Sequence, residues 1–404
     1  MKPLLSIYHY LWARLSSIWY RFPSRRIKVI GITGTKGKST TAELISAILE
    51  TADLKTALSS TVRFKVGEKS QDNKLKMSLP GRGFIQRFLR QAVHANCDWA
   101  IIEMTSEGAR QFRHKFIDLN AFIFTNLAPE HIESHGSYEA YRQAKVGIAR
   151  ELERSPKAGR ALIVNGDDKE AKYFSNIKAE KQIAYHLSDL EPIKETARGT
   201  EFNFCEQTIV TKLIGKFNLY NILAAMTFAE TQGIAPEIIK EAVEQFGGVR
   251  GRMEQVGWQD FEVLVDYAHT PDSLRQVYEA FPGRKKICVL GGAGGGRDKW
   301  KRSEIGKIAE KHCDKIILTD EDPYDEDPEE IVKDITAGIK KAKPQVIMDR
   351  RLAIREAISR ARAGDVVLIT GKGTDPYIMG PNGSKTPWDD AAIAHEELEK
   401  LKTS

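Results

Sequence analysis

The stretch VIGITGTKGKST, residues 29–40, decides how this chain is read. It opens on β-branched residues, passes through a turn punctuated by Gly34 and Gly37, and ends on Lys38, Ser39 and Thr40, where a helix can begin. A strand, a glycine-rich turn and a helix start, in that order, make a phosphate cradle. The glycines let backbone N–H groups curl around phosphate oxygens, Lys38 supplies a point charge, and Ser39 offers a hydroxyl to Mg²⁺. Gly34, Thr35, Lys36, Gly37, Lys38, Ser39 and Thr40 are therefore candidate contacts to a nucleoside triphosphate. The competing reading is a glycine-rich turn with a chance lysine. The loop also departs from the general P-loop spacing, because Ile32 stands where the first glycine belongs.

Outward from this loop, a helix is expected over about 40–52, followed by the β-rich runs DWAIIEM (98–104), AFIFTNL (121–127) and ALIVNGD (161–167). After Phe246-Gly247-Gly248 a second series begins with FEVLVDY (261–267), KKICVLGG (285–292), KIILTDED (315–322), QVIMD (345–349) and DVVLITGKG (365–373). Helical stretches such as 271–281 and 303–313 separate these runs. Alternation of this kind predicts an α/β fold. A central P-loop ATPase-like domain with a mostly parallel sheet is expected over 29–248, and a C-terminal Rossmann-like α/β domain over 249–404, joined at 247–252.

The bulk composition is that of a soluble chain: 404 residues, 41% hydrophobic and 29% charged, enough for two or three domains. A net charge of +6 is modest for this length and suggests no nucleic-acid partner. Cys97, Cys205, Cys288 and Cys313 are scattered, with no C-x-x-C, so neither a disulfide framework nor a zinc site is expected and a reducing cytoplasm fits. Charge is uneven only at the start. Residues 1–28 carry Lys2, Arg14, Arg21, Arg25, Arg26 and Lys28 and no acidic residue, and Leu4, Tyr8, Leu11, Trp12, Leu15 and Trp19 recur there at helical spacing. Such a helix over 1–22 either docks its apolar face on the protein's own core or lies peripherally on an anionic membrane. His9 and Arg14 interrupt the run and no small-residue cleavage site follows, which excludes a transmembrane span and a signal peptide.

Two further segments can hold charge near a triphosphate. Glu103 closes the run DWAIIEM, and strand ends are where open α/β sheets place ligands. The second segment is TNLAPEHIESHG (125–136), followed by Ala144-Lys145 on an expected helix. This pattern, T-N-L-x-x-[DE]-H-[LI]-[DE]-x-H-G and then Y-x-x-A-K, resembles the signature of the Mur ligase family from about residue 29 to the C-terminus. The resemblance implies that Glu103, His131 and Lys145 bind Mg²⁺ together with Ser39, and that Lys145 is carbamylated by CO₂, which turns a cation into an anion. On residue type alone, Glu103 would pass for a capping carboxylate and Lys145 for an exposed helix lysine.

GKFNLYNILAA (215–225) resembles the family's G-x-[FH]-N-x-x-N-x-x-A-A helix, which assigns Asn218 and Asn221 to the nucleotide; the plainer alternative is that one of them caps the helix. GRME (251–254) and DYAHTPD (266–272) match the family's G-R-M-E and D-Y-A-H-x-P. By resemblance Arg252 stabilises phosphate charge, and Asp266 and His269 approach the ATP on domain closure. A histidine satisfied by an ordinary hydrogen bond is the alternative for His269. Lys38, His131, Lys145 and Arg252 are thus the candidate catalytic residues.

The glycines at 291–296 do not fit a dinucleotide-binding register. GAGGGRDKWKR (292–302) and GKGTD (371–375) instead resemble loops of the muramoyl-tripeptide ligase branch, which adds the third, diamino residue of the peptidoglycan stem. Carried over, Thr105, Gln111 and Arg113 hold a muramoyl-peptide-like acceptor, and Arg297, Glu321, Asp322, Gly371 and Asp375 hold the incoming amino acid. Departures are present. Where diaminopimelate-adding enzymes read D-N-P-R, this chain reads Glu321-Asp322-Pro323-Tyr324, which removes the arginine for a distal carboxylate. Thr374-Asp375 replaces His-Glu, Leu79 stands in place of the usual Thr, and only about 28 residues precede the first strand, so the family's UDP-binding domain is expected to be absent.

The expectation is therefore a monomeric, ATP- and Mg²⁺-dependent amide ligase that passes through an acyl phosphate. A polyglutamate-type ligase, a ligase for a lipid-linked wall precursor, and a non-catalytic P-loop module are the rivals.

Overall fold

A computed structural model describes residues 3–402 apart from 82, 131, 197, 259 and 298. The chain folds as two compact units, the first drawn from residues before 248 and the second beginning in the main at Gly248.

The first unit is built on β1 (Lys28–Thr33), β2 (Thr56–Ser59), β3 (Arg63–Val66), β4 (Lys69–Asp72), β5 (Trp99–Glu103), β6 (Ala121–Phe124), β7 (Ala161–Asn165) and β8 (Lys181–Tyr185). They form one sheet in the order β4-β3-β2-β5-β1-β6-β7-β8. β2, β5, β1, β6, β7 and β8 run parallel, and β3 and β4 add an antiparallel edge. A small antiparallel sheet of β9 (Lys194–Thr196), β10 (Gly199–Phe204) and β11 (Gln207–Thr211) completes the strands of this unit. Its helices are α1 (Pro3–Trp19), α2 (Lys38–Thr51), α3 (Phe84–His94), α4 (Ser106–Arg110), α6 (Tyr138–Arg154), α7 (Ala171–Phe174), α8 (Lys216–Thr231) and α9 (Pro236–Gln245), while most of the short α5 (Ile132–His135) groups with the second unit.

Successive side chains of a strand point to opposite faces, and both faces of this sheet are covered. Ile30 and Ile32 pack with Leu44 and Ile48 of α2, Ile222 and Phe228 of α8, and Val243 of α9. Val29 joins Phe88 and Leu89 of α3 and Ile148 and Leu152 of α6. That two-sided burial explains why the strands read as unbroken apolar runs; each such side chain contributes about 1.5–3 kcal/mol. β1 lies between β5 and β6: the chain leaves β1 for β2 on one side and later crosses from β5 past β1 to β6 on the other. The C-terminal ends of these three strands open the crevice where ligands sit in such sheets.

The second unit holds β12 (Glu254–Trp258), β13 (Glu262–Asp266), β14 (Lys286–Leu290), β15 (Lys315–Leu318), β16 (Gln345–Val346) and β17 (Val366–Thr370) in the order β12-β13-β17-β14-β15-β16. Only the β12–β13 pairing is antiparallel. A hairpin of β18 (Tyr377–Met379) and β19 (Lys385–Pro387) lies outside the sheet. Around it are α10 (Pro271–Glu279), α11 (Trp300–His312), α12 (Pro328–Thr336), α13 (Arg350–Ser359) and α14 (Asp390–Lys402). The fold is the α/β class the alternation predicted.

One expectation is corrected. Cys288 in β14 and Cys313, just past α11, form a disulfide with Cα atoms 6.1 Å apart. Neighbouring β14 and β15 bring them together: β15 begins two residues after Cys313, and Ile287 pairs with Lys315, a proximity that spacing along the chain does not reveal. Cys97 and Cys205 are free thiols.

α1 docks, but incompletely. Ser16 and Ser17 are buried, and the Tyr10 ring meets those of Phe112 and Phe116. Leu4, Ile7, Leu11, Leu15 and Ile18, at three- and four-residue spacing, remain 49–83% exposed. Among the described residues no helix is long and apolar enough to cross a membrane.

Candidate active site

The glycine-rich loop between β1 and α2 is braced from the segment after β6. Thr35 N–H donates to the Asn126 carbonyl and Lys36 N–H to Asn126 Oδ1, both at 2.9 Å. Thr125 Oγ1 donates to the Lys36 carbonyl at 2.7 Å and Asn126 Nδ2 to the same oxygen at 3.0 Å. Thr35 Oγ1 accepts the Ala128 N–H at 3.0 Å and lies 3.0 Å from the Tyr141 hydroxyl. The loop cannot carry larger residues at its bends. A Cβ on Gly34 would run into Thr125 Oγ1, and Gly37, at φ +82°, would meet Asn221 Oδ1. Because the Thr35 and Lys36 N–H groups are already used, an incoming phosphate is left the donors of the first turn of α2, which have no partner inside the helix.

Two lysines converge on this loop. Lys38 Nζ donates to the carbonyls of Gly34 and Thr35 at 2.8 and 2.9 Å, and Lys145 Nζ, on α6, donates to the Gly34 carbonyl at 2.7 Å. Lys145 is 2% exposed, and burial, with the nearby Lys38 charge, holds its amine well below the ordinary lysine range. Lys36 pairs with Glu130 at 3.3 Å. Ser39 and Thr40 are buried at the start of α2, and Asn221, hydrogen-bonded to Asn218 at 3.0 Å, closes the loop from α8.

Glu103 ends β5 in register with Ile32 and is fully buried. Its carboxylate accepts the Thr61 N–H at 2.9 Å and the Thr61 hydroxyl at 3.0 Å. It is thus fixed one strand away from the loop. Among the described residues no three His, Cys, Asp or Glu side chains gather as a metal-binding set. His131 lies outside the described residues.

Of the three residues expected to hold an acceptor, Thr105 caps α4 by accepting the Gly108 N–H at 3.2 Å. Arg113 donates to Gln111 Oε1 and, at 2.8 Å, to the carbonyl of Leu79, so Gln111 and Arg113 are in contact.

In the second unit, Asp266 at the end of β13 accepts the N–H groups of Met253 and Ala268, both at 2.7 Å, and so ties the GRME turn to the strand. Arg252 lies 4.2 Å over the Tyr267 ring, and His269 Nδ1 is 2.8 Å from the Tyr267 carbonyl. Around the end of β17, Asp322 Oδ1 accepts from Lys372 Nζ at 2.7 Å and from the Met379 N–H at 2.8 Å, with Asp375 3.5 Å from the same ammonium. Glu321 is 5% exposed, and burial pushes its carboxyl up to about 7. A Cβ on Gly371, at φ +109°, would collide with that carboxyl. Arg297 donates to the Tyr324 hydroxyl at 2.7 Å, so the tyrosine that stands in place of arginine is itself engaged.

Several residues were not singled out for a role: Thr61, Thr125, Asn126, Tyr141, Arg350, Lys372 and Asp390. Thr125, Asn126 and Lys372 lie inside motifs already recognised. Arg350 and Asp390, wholly buried and paired at 2.6 Å, gave no signal because their partners are 40 residues apart.

Comparison with known proteins agrees with this geometry. The Mur ligase middle domain matches residues 32–229, and the Mur ligase glutamate ligase domain matches residues 251–373. A UDP-N-acetylmuramoyl-L-alanyl-D-glutamate--2,6-diaminopimelate ligase from Geobacillus kaustophilus (strain HTA426) is 36% identical over 407 residues, which span 96% of this chain and 82% of that protein. A solved structure of a ligase with the same name superposes at a TM-score of 0.64 with 28% identity, over 94% of this chain and 79% of the other. Mycobacterium tuberculosis folylpolyglutamate synthase with ADP superposes at 0.72 over 93% of each chain, but at 16% identity it shares the fold alone. With both domains matched in order and a relative 36% identical over 96% of this chain, the chain belongs to the Mur ligase family of ATP-dependent acid–amino-acid ligases.

Proposed function

We propose that this chain activates the carboxylate of a muramoyl-peptide-like acceptor with ATP and joins it to the amine of an amino acid, in the synthesis of a peptidoglycan precursor. A carboxylate oxygen attacks the γ-phosphorus, the bond to the bridging oxygen breaks, and ADP leaves. The amine then attacks the acyl carbon, the carbon–oxygen bond to phosphate breaks, and the amine gives up a proton. Lys38 and Arg252 spread the charge of the transferring phosphoryl group; Gly34, Thr35, Lys36, Gly37, Ser39, Thr40, Asn218, Asn221, Asp266 and His269 hold the nucleotide. Thr105, Gln111 and Arg113 hold the acceptor, and Arg297, Glu321, Asp322, Gly371 and Asp375 the amino acid.

The observation that carries this reading is the pair of lysines on the Gly34 carbonyl, of which Lys145 is buried and Lys38 half-buried. An amine held neutral by burial can add to CO₂, losing a proton and becoming a carbamate anion. Without that change Lys145 would offer no anionic oxygen; with it, Ser39, Glu103, Lys145 and His131 would supply oxygen and nitrogen donors suited to Mg²⁺, which would neutralise phosphate charge.

ADP release that depends on an added amino acid tests the reaction. Lys145→Ala should abolish turnover and regain part of it with a small carboxylate; full activity in that variant would remove the carbamate. We further propose a cytoplasmic monomer; the exposed stripe of α1 supports its peripheral contact with an anionic membrane. Co-sedimentation with anionic vesicles that is unchanged on deleting residues 1–22 would count against that contact.

A further inference from the structure

The loop between β14 and α11 has little in its own sequence to hold it. Gly294, Gly295 and Gly296 follow one another, the last two at φ +71°, and residues 297–302 then carry Arg297, Lys299, Lys301 and Arg302 against the single acid Asp298. A backbone this free, bearing like charges this close, does not keep one shape unaided. Its support comes from the segment after β15. Gly294 N–H donates to the Asp322 carbonyl at 2.8 Å, and a Cβ on Gly294 would run into the Pro323 carbonyl oxygen. Farther on, one side chain gathers the loop. Glu326 Oε1 accepts the Gly296 N–H at 3.0 Å, while Oε2 accepts from Arg302 Nη2 at 2.9 Å and lies 3.2 Å from Lys299 Nζ. The same Arg302 nitrogen donates to the Ala293 carbonyl at 3.2 Å, so both ends of the loop are tied through it. Burial would raise the Glu326 carboxyl, yet the Gly296 N–H, Arg302 and Lys299 hold it down at about 2, and it stays an anion at neutral pH.

Arg297 stands between these anchors. Its guanidinium lies 5.0 Å from the centre of the Tyr324 ring and donates to the Tyr324 hydroxyl at 2.7 Å. Both contacts are to one residue, so where Arg297 points depends on how the loop backbone lies against the Tyr324 turn. Glu326 fixes the two together, because its own N–H donates to the Pro323 carbonyl at 3.1 Å and closes that turn. We propose that Glu326 is a positioning residue for the incoming amino acid: it touches no substrate, and it orders residues 293–302 so that Arg297 is presented at the amino-acid site. The amino acid then meets a loop already shaped and does not have to order it on binding. That use of the loop rests on the ligase reading; the ordering itself does not.

Two measurements on the full chain separate the parts. Trypsin, which cuts after lysine and arginine, reads the order of the loop, and ADP release with a muramoyl dipeptide and the common amino acids or 2,6-diaminopimelate, tried singly, reads its use. Glu326→Gln should be cut within 297–302 about tenfold faster than the parent, with the melting temperature little changed, because cleavage follows local opening. Its KM for whichever amino acid the parent uses should rise about tenfold, the size expected for weakening hydrogen bonds to a charged group, while kcat and the Kd for ATP stay within about twofold. Glu326→Asp should regain part of the affinity. Lys299→Met, at a side chain 62% exposed, should give a smaller rise in KM and leave the fold intact; if Glu326→Gln does not fold, this variant decides by the same two readings. Parent-like cleavage would show that the loop holds itself, faster cleavage with an unchanged KM would detach the loop from the amino acid, and a loss confined to melting temperature and kcat would make Glu326 a strut of the fold; each overturns the proposal. A parent that releases no ADP with any amino acid sinks the ligase reading and the use of the loop with it, while trypsin still decides whether Glu326 holds the loop. A parent that releases ADP and keeps its KM in Glu326→Gln sinks only the positioning role.

Discussion

Lys145 in the first unit and Lys372 in the second are both almost wholly withdrawn from water, yet they are buried in opposite company. Lys372 Nζ meets Asp322 at 2.7 Å and Asp375 at 3.5 Å, a charged strut that closes the end of β17. Lys145 meets a backbone carbonyl and the Tyr141 ring, with the Lys38 charge near by. An ion pair inside the fold holds structure; at Lys145 burial and the Lys38 charge outweigh the pull of the Glu130 carboxylate, drive the amine toward its neutral form and make it available for chemistry.

The contrast is broken or kept by one pair of variants. Lys145→Met should cut amino-acid-dependent ADP release by about a thousandfold, equivalent to about 4 kcal/mol of barrier, while urea unfolding shifts by no more than about 1 kcal/mol. Lys372→Met should do the reverse to stability and cost about 3–5 kcal/mol, because Asp322 is left buried without its cation. Equal destabilisation by the two would show that Lys145 is also a charged strut.

Glu321 sharpens the same point from the acid side. With its pKa pushed up to about 7 by burial, from an ordinary 4.5, the folded protein retains a proton that the unfolded chain releases. The stability that Glu321 contributes is therefore intact below about pH 4.5 and lost as pH rises to about 7. Glu321→Gln should unfold like the parent near pH 4.5 and be more stable by up to about 3 kcal/mol at pH 8. A difference independent of pH would mean that Glu321 is ionised in the fold throughout.

The sequence carried the parallel sheets well, because two-sided burial forces unbroken apolar runs: DWAIIEM, AFIFTNL and ALIVNGD became β5, β6 and β7, and the helix expected over about 40–52 is α2, Lys38–Thr51. The edge strand β4 escaped because an exposed, polar strand such as KSQD lacks that signature, and its neighbour β3, RFKV, is short and buries only Phe64. Within the site, Lys38, Asn218 and Asn221 could be found because their neighbours in sequence are also their neighbours in space. Thr61 could not; its bond to Glu103 spans 42 residues and depends on β2 and β5 pairing. The Cys288–Cys313 bond was hidden for the same reason.

Asn126 offers the smallest effect and the finest test of how the phosphate loop is held. Its carbonyl and side chain take the N–H groups of Thr35 and Lys36, and its amide returns a bond to the Lys36 carbonyl. Asn126→Ala keeps the backbone bond and deletes the two that the side chain makes with Lys36, along with a long one to Thr125 Oγ1, at about 1 kcal/mol for each well-formed neutral hydrogen bond. Because the loop then samples shapes that no longer direct the first turn of α2 at phosphate, affinity for ATP should fall about tenfold, with little change in turnover at saturating ATP. A calorimetric titration that shows parent-like ATP affinity would mean that Thr125 and Gly34 alone suffice to set the loop. In that case the brace belongs to folding rather than to binding, and the lysine pair on the Gly34 carbonyl would be the only part of the loop organised for the nucleotide.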